Sequence, residues 1–145
     1  MFLAAQILLT VVILGYTAVP VLADFNRTHA TNPLWVAHAR YHVVWQVCSY
    51  LGVGAVSMWL LWAPGPEQAA RSHVVAFLAL CIYAGFFAAA ASMRLYNGSL
   101  TDPNGYPPFR FHALGADRIV DRNVFVFSLI LVVLAIAWSL LAAAT

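Results

Sequence analysis

The sequence predicts an all-α, integral-membrane four-helix bundle with a long ordered loop between helices 3 and 4. Three observations lead there. Hydrophobic residues make up 63% of the 145-residue chain and charged residues 8%, against about 25% charged in a soluble domain. The apolar residues fall into four stretches, approximately 2–23, 34–63, 74–93 and 124–144, each near the ~20 residues that cross a ~30 Å hydrocarbon layer as a helix. Traced in order, these spans bring 24–33 and 94–123 out on one face, where most ionisable side chains lie. So short a chain cannot hide that much apolar surface in a soluble core, so most of it faces lipid. The result is a single transmembrane domain, 1–145, with no internal repeat.

Each element has its own signals. Gln6, Thr10 and Thr17 mark one face of the first span and are expected to bond across helices. Pro20 removes a backbone hydrogen bond and should kink or end that helix. Val21-Leu22-Ala23 has the form of a signal-peptidase site, but no basic residue precedes the apolar run, so a retained span is expected. The second span opens on His38-Ala39-Arg40-Tyr41-His42 and continues that face through Trp45, Gln46 and Ser49. Lipid cannot satisfy such a stripe, so it should face the bundle interior. Ala63-Pro64-Gly65-Pro66 ends the span in a short hairpin. The third span carries Gly85, Ala88, Ala89 and Ser92, spaced for close approach by a neighbour, with Gly52 and Gly54 to receive it. Cys48 and Cys81 form no CxxC motif and read as small core residues near mid-membrane. His73, beside Arg71, reads as a solvated residue at the far end. In the long connection, Asp102-Pro103-Asn104-Gly105 is a turn signal, and Tyr96, Tyr106, Phe109 and Phe111 argue for an ordered lid.

Arg27, Arg40, Arg94, Arg110, Arg118 and Arg122 lie on the polar face and Arg71 alone on the other. The positive-inside rule then puts the polar loops in the cytoplasm and both termini outside. The Arg- and Ala-rich composition without Lys suits a GC-rich bacterial genome, hence a bacterial inner membrane. Trp35 at one end, and Trp59, Trp62 and Trp138 near the other, fit aromatic belts. A net charge of +2 is too small to suggest nucleic acid.

Three clusters could carry chemistry. His38 and His42 share a helical face by their spacing, as an acid–base or metal-ligand pair. Asp117 and Asp121 have the same spacing before the fourth span, and would share a face if the helix began near Gly115. Converging, the four would form a His2Asp2 site for Zn or Fe with Asn123 nearby; the DxxxD pair alone would suit Mg²⁺. One Asp is equally well explained as a helix cap. The third cluster is the link 24–33, whose Asp24, Asn26, His29 and Asn32 exceed what a turn requires. With Arg40, Trp45, Gln46, Arg118, Arg122 and Asn123 they are the expected substrate-binding residues, the Arg side chains suiting anionic head groups. Haem is not expected, because the first and fourth spans carry no His.

From the second span onward the plan resembles the small sterol-isomerase and sigma-2-receptor-like helical membrane fold. The acidic and His residues leading into the second span, the long loop after the third, and Asn123 at the start of the fourth carry the resemblance. It implies a bundle around a mostly apolar cavity with a few acidic or His residues at one mouth. The family's glutamates are not matched: the sole Glu, Glu67, lies on the opposite face, so their role does not transfer.

The expected function is a membrane enzyme acting on a lipid, isoprenoid or sterol-like substrate at the cytoplasmic mouth. His38 or His42 with Asp117 or Asp121 would transfer protons in an isomerase, cyclase or hydratase. The alternatives are a Zn- or Fe-dependent enzyme, and a non-catalytic accessory or lipid-binding subunit. A transporter is less favoured, since the interiors of the first and third spans lack an ionisable group. Membrane lipid or a hydrophobic small molecule is the expected partner, with a second copy of the chain as another.

Overall fold

The computed structural model describes residues 1–113 and 115–144. Four helices, α1 (Phe2–Asp24), α2 (Ala37–Trp62), α3 (Gln68–Ser92) and α4 (Arg122–Ala142), are each long and apolar enough to cross a membrane. α1 packs on all three others, and α2 on α3 and α3 on α4 complete the bundle. Their outer faces are apolar: Ile7, Val11, Val56, Phe77, Leu129 and Val132 are all exposed.

The core occupies one half of the bundle. Leu9, Val12, Ile13 and Tyr16 of α1 meet Leu61 of α2, Val75, Ala76, Ala79 and Tyr83 of α3, and Leu134, Ala137 and Leu141 of α4. These positions crowd toward the Pro64–Pro66 end. Three polar side chains buried there are paired, Gln6 Nε2 donating to Leu61 O at 2.8 Å, Tyr16 Oη to Ser57 Oγ at 3.1 Å and Tyr83 Oη to Val12 O at 2.9 Å, whereas the buried Arg71 Nε has no partner among the described residues. Without water, such bonds are the available compensation for burial. Gln6 and Thr10 bond across helices as expected, Thr10 Oγ1 accepting from Trp62 Nε1 at 3.0 Å while it donates to Gln6 O, whereas Thr17 donates to Ile13 O of its own helix.

Several expectations are corrected. The connection after α3 is not purely a loop. A 3₁₀ turn at Met93–Leu95 leads through turns to an antiparallel hairpin, β1 (Phe109–Ala113) with β2 (Ala116–Val120), registered Phe109 to Val120 and His112 to Asp117. The chain there alternates aromatic and polar residues, a strand pattern, and Gly115 supplies a positive φ of 73° where the chain reverses. Pro20 does not end α1, which runs on to Asp24. α2 begins at Ala37 rather than 34, because Asn32 Oδ1 holds Leu34 N in a turn ahead of it. α3 begins at Gln68, taking in Arg71, Ser72 and His73. His73 is half-buried and its Nδ1 accepts from Trp138 Nε1 at 3.0 Å, rather than standing in solvent.

The close approaches also fall elsewhere. A Cβ at Gly85 or Gly52 would meet nothing within 4 Å, whereas one at Gly54 would overlap Thr17 and one at Gly15 would lie 2.5 Å from Tyr83 Oη. α1 is thus the helix that glycines admit. Cys48 and Cys81 are exposed free thiols on the outer surface, not core residues.

Candidate functional site at the polar end of the bundle

Beyond Tyr16 and Tyr83 the helices enclose a cavity of about 480 Å³, within the roughly 300–1,000 Å³ usual for ligand sites. Its deep wall is Tyr16 and Tyr50; its sides include Val43, Ile82 and Phe86; its mouth carries Asp24, His29, Trp35, Gln46 and Asn123. A second cleft of about 300 Å³ lies beneath the connection after α3, lined by Asp102, Tyr106, Phe109, Asp121 and Arg122 among others. Asp24, His29 and Asn123 line both hollows.

The link after α1 places this junction through its own hydrogen bonds. Asn26 Nδ2 donates to Leu22 O and Ala23 O, closing the end of α1, while its Oδ1 accepts from Thr28 N at 2.8 Å and Thr28 Oγ1 at 2.7 Å. Asn32, fully buried, donates to Thr28 O at 2.9 Å. These are the side-chain turns that Asn and Thr favour. They set His29 with Nδ1 2.8 Å from Thr28 Oγ1 and 3.5 Å from Asp24 Oδ1, its ring edge against Trp35.

That inventory assigns the tautomer. Asn26 Oδ1 and Ala23 O can only accept, and Thr28 Oγ1 lies near both. With the Thr28 proton on one of them, its oxygen accepts from His29 Nδ1–H, and this tautomer also presents an N–H rather than a lone pair toward Asp24 Oδ1. Neutral His29 then carries its free lone pair on Nε2. Among the described residues the ring's hydrogen bonds are all at Nδ1, so Nε2 is the nitrogen left for a cavity occupant. The side chains of His29 and Asp24 are 28% and 23% exposed, enough for access and too little for full solvation.

A strap covers the junction. Asp102 accepts from Trp35 Nε1 at 2.6 Å, from Asn32 Nδ2 at 3.2 Å and from Asn104 N at 2.7 Å. Asn104 Nδ2 donates to Arg27 O, and Asn26 Nδ2 also reaches Tyr106 Oη at 3.3 Å. The Trp35 hydrogen bond, then those from Asn104 and Asn32, hold the Asp102 carboxyl below the usual aspartate range, because each favours the anion.

The expected His2Asp2 grouping does not form. His38 and His42 sit exposed on α2, Nε2 to Nε2 at 3.0 Å, with Tyr41 and Trp45 around them. Asp117 lies in β2, not on a helix, its carboxylate 3.0 Å from His112 Nδ1 on an exposed hairpin edge. Asp121 caps α4, accepting from Asn123 N at 2.9 Å and Val124 N at 3.1 Å. Among the described residues no group of three or more His, Cys, Asp and Glu could hold a metal ion. The stripe through Trp45, Gln46 and Ser49 is exposed, and of these only Gln46 lines the large cavity. Arg40 is half-buried and Arg118 exposed in β2, both away from the two hollows, while Arg122 donates to Pro107 O and stacks over Phe109.

Asp24, His29, Gln46, Arg122 and Asn123, all expected at the site, do line it. Sequence reasoning missed Trp35 and Asp102 as partners, and Tyr16, Tyr50 and Phe127 as walls. The Asp102 turn signal was present in the sequence, but its bond to a residue 67 positions away was not. No protein-family model, curated protein or solved structure matches the chain.

Proposed function

We propose that the chain is an integral-membrane enzyme acting on a lipophilic substrate, with Asp24 and His29 as its acid–base pair. The carrying observation is the junction itself: one half-buried His–Asp pair walls both a mostly apolar cavity among the helices and a second cleft beneath the strap, where Asp102, Asp121 and Arg122 also face the hollow. The hydrocarbon part of the substrate lies in the larger cavity and its functional group at the mouth. Neutral His29 takes a proton at Nε2, and the Asp24 carboxylate stabilises the imidazolium that results. Returning that proton to a different atom of the substrate is an isomerisation. Returning it after ring closure or addition of water is a cyclisation or hydration. With six Arg at the polar end and one at the other, that end faces the cytoplasm, as in a bacterial inner membrane.

The test is product formation in lipid extracts. Purified protein in mild detergent is incubated with membrane lipid, and mass spectrometry seeks a product of equal mass or one larger by a water. Asp24→Asn and His29→Gln should each lower turnover by about 10²–10⁴-fold, the usual worth of general acid–base catalysis. His38→Gln and His42→Gln should leave it unchanged. Turnover that survives in His29→Gln refutes the assignment.

A second reading, a non-catalytic lipid-binding or accessory subunit, is favoured by the hairpin. Phe111 is 44% exposed and Ile119 63% exposed, and Phe109, Arg110, Phe111 and Phe125 frame an outward cleft of about 260 Å³. An aromatic and Arg-bearing surface of this kind suits a lipid interface or a partner. Loss of a co-purifying protein from a Phe111→Ser variant, with no turnover in the parent protein, would establish that reading.

A further inference from the structure

We infer that the larger cavity opens sideways into the bilayer between α2 and α3, with Gly85 and Ala89 at the edge of the portal, and that it takes an acyl- or prenyl-chain molecule directly from the membrane. The inference rests on the lipophilic-ligand reading above and names the ligand's route and class.

α2 and α3 are held together at one end by the short Pro64–Pro66 joint, and their packing fades toward the other. The buried residues of α3 are Ser72, Val75, Ala76, Ala79 and Tyr83, with none between Tyr83 and the polar end. On α2, Gly54, Ser57 and Leu61 lie toward the joint, leaving Val47 as the buried residue toward the mouth. In that loosened half, Gln46, Gly85 and Ala89 line the cavity and are at the same time exposed. There the cavity wall is also the outer surface of the protein.

Gly85 makes the gap. A Cβ built on it meets nothing within 4 Å, so the missing side chain is not accommodating a neighbouring helix. Gly85 lies about 10 Å along the helix axis from Ser92 at the polar end, which is inside the hydrocarbon layer if α3 spans it. The cavity surface behind the gap is Val43, Tyr50, Ile82 and Phe86. Such a passage is favourable for a hydrocarbon chain and costly for a hydrated polar molecule. A chain entering there would meet Asp24 and His29 with its functional end at the mouth.

Photolabelling tests this. The protein is placed in phosphatidylcholine nanodiscs containing a long-chain alcohol with a diazirine in the chain, irradiated, and its adducts mapped by mass spectrometry. The wild type should carry adducts on Tyr50, Ile82 and Phe86, besides the outward Phe77 and Leu129. In Gly85→Trp and Ala89→Trp the cavity adducts should fall to the level of an unirradiated control while the outward adducts persist. Cavity adducts that persist in both variants overturn the portal and leave the lipophilic cavity standing. Their absence from the wild type overturns portal and lipophilic reading together. Gly85→Leu and Ala89→Leu carry the same test should a Trp variant lose its thermal unfolding transition.

Discussion

At the scale of single residues, hydrogen-bond inventory separates groups of the same chemical type. Asp102, Asp121 and Asp24 are all carboxylates near the polar end, with different occupations. Asp121 satisfies two orphan N–H groups of α4, and Asp121→Ala should cost about 1 kcal/mol of stability, read as a shift in a denaturant titration in detergent. Asp102 fastens the strap, and its sign follows from the direction of its shift. Its folded-state pKa is depressed, so its contribution is complete above the ordinary aspartate value of about 3.9. That contribution is lost as pH falls through the lower folded value. Acrylamide quenching of Trp35, in a variant with the other Trp residues replaced by Phe, should stay constant from neutral pH to about 4 and rise below it. In Asp102→Asn the acid-induced rise should be absent; an unchanged acid transition there would remove Asp102 as the fastener. His38 and His42 show the converse, since among the described residues this i, i+4 pair of imidazoles hydrogen-bonds only to each other.

At the scale of elements, the glycines divide the helices into contact and open faces. Gly54 and Gly52 are two residues apart on α2, yet a Cβ on Gly54 overlaps Thr17 while one on Gly52 meets nothing. Gly54→Ala should therefore destabilise by about 1–3 kcal/mol through overpacking. Gly52→Ala should be neutral or stabilise by up to about 1 kcal/mol through helix propensity. Thermal unfolding in one detergent compares the two, and equal losses would contradict this packing of α1 against α2. The helices were legible because their hydrophobic runs match a membrane thickness. The hairpin was not: Phe109–Ala113 and Ala116–Val120 are short, and the Asp117/Asp121 spacing suits a helix as readily as the strand and cap that form.

At the scale of the whole molecule, the bundle is closed at one end and open at the other. Gln6 and Gln68 both donate to Leu61 O, and Arg71 donates to Ala63 O, so the Pro64–Pro66 end is tied by one buried and two part-buried polar bonds. The polar end has the cavities and the strap instead. The outer surface follows from the same division: Cys48 and Cys81 are exposed on helices long and apolar enough to cross a membrane. Neither a membrane-permeant nor an impermeant maleimide should label them rapidly in intact cells, because the reacting thiolate does not form in hydrocarbon, whereas both thiols should react once the protein is denatured in SDS. Rapid labelling by the impermeant reagent would place those helices in water and contradict the membrane arrangement.

Composition and hydrophobic run length by themselves determined that four helices of membrane-spanning length form, because lipid and helical hydrogen bonding act on each span independently of its neighbours. They also determined which end collects the polar groups, since chain order alone puts 24–33 and 94–123 on one side. Tertiary structure decided which of those groups meet. His29 joins Asp24 within one short link, Trp35 joins Asp102 across 67 positions, and Asp117 stays on the hairpin with His112. The physical reason is that side-chain partnership depends on helix rotation, on the register of β1 with β2 and on where the long connection lands, and packing sets all three.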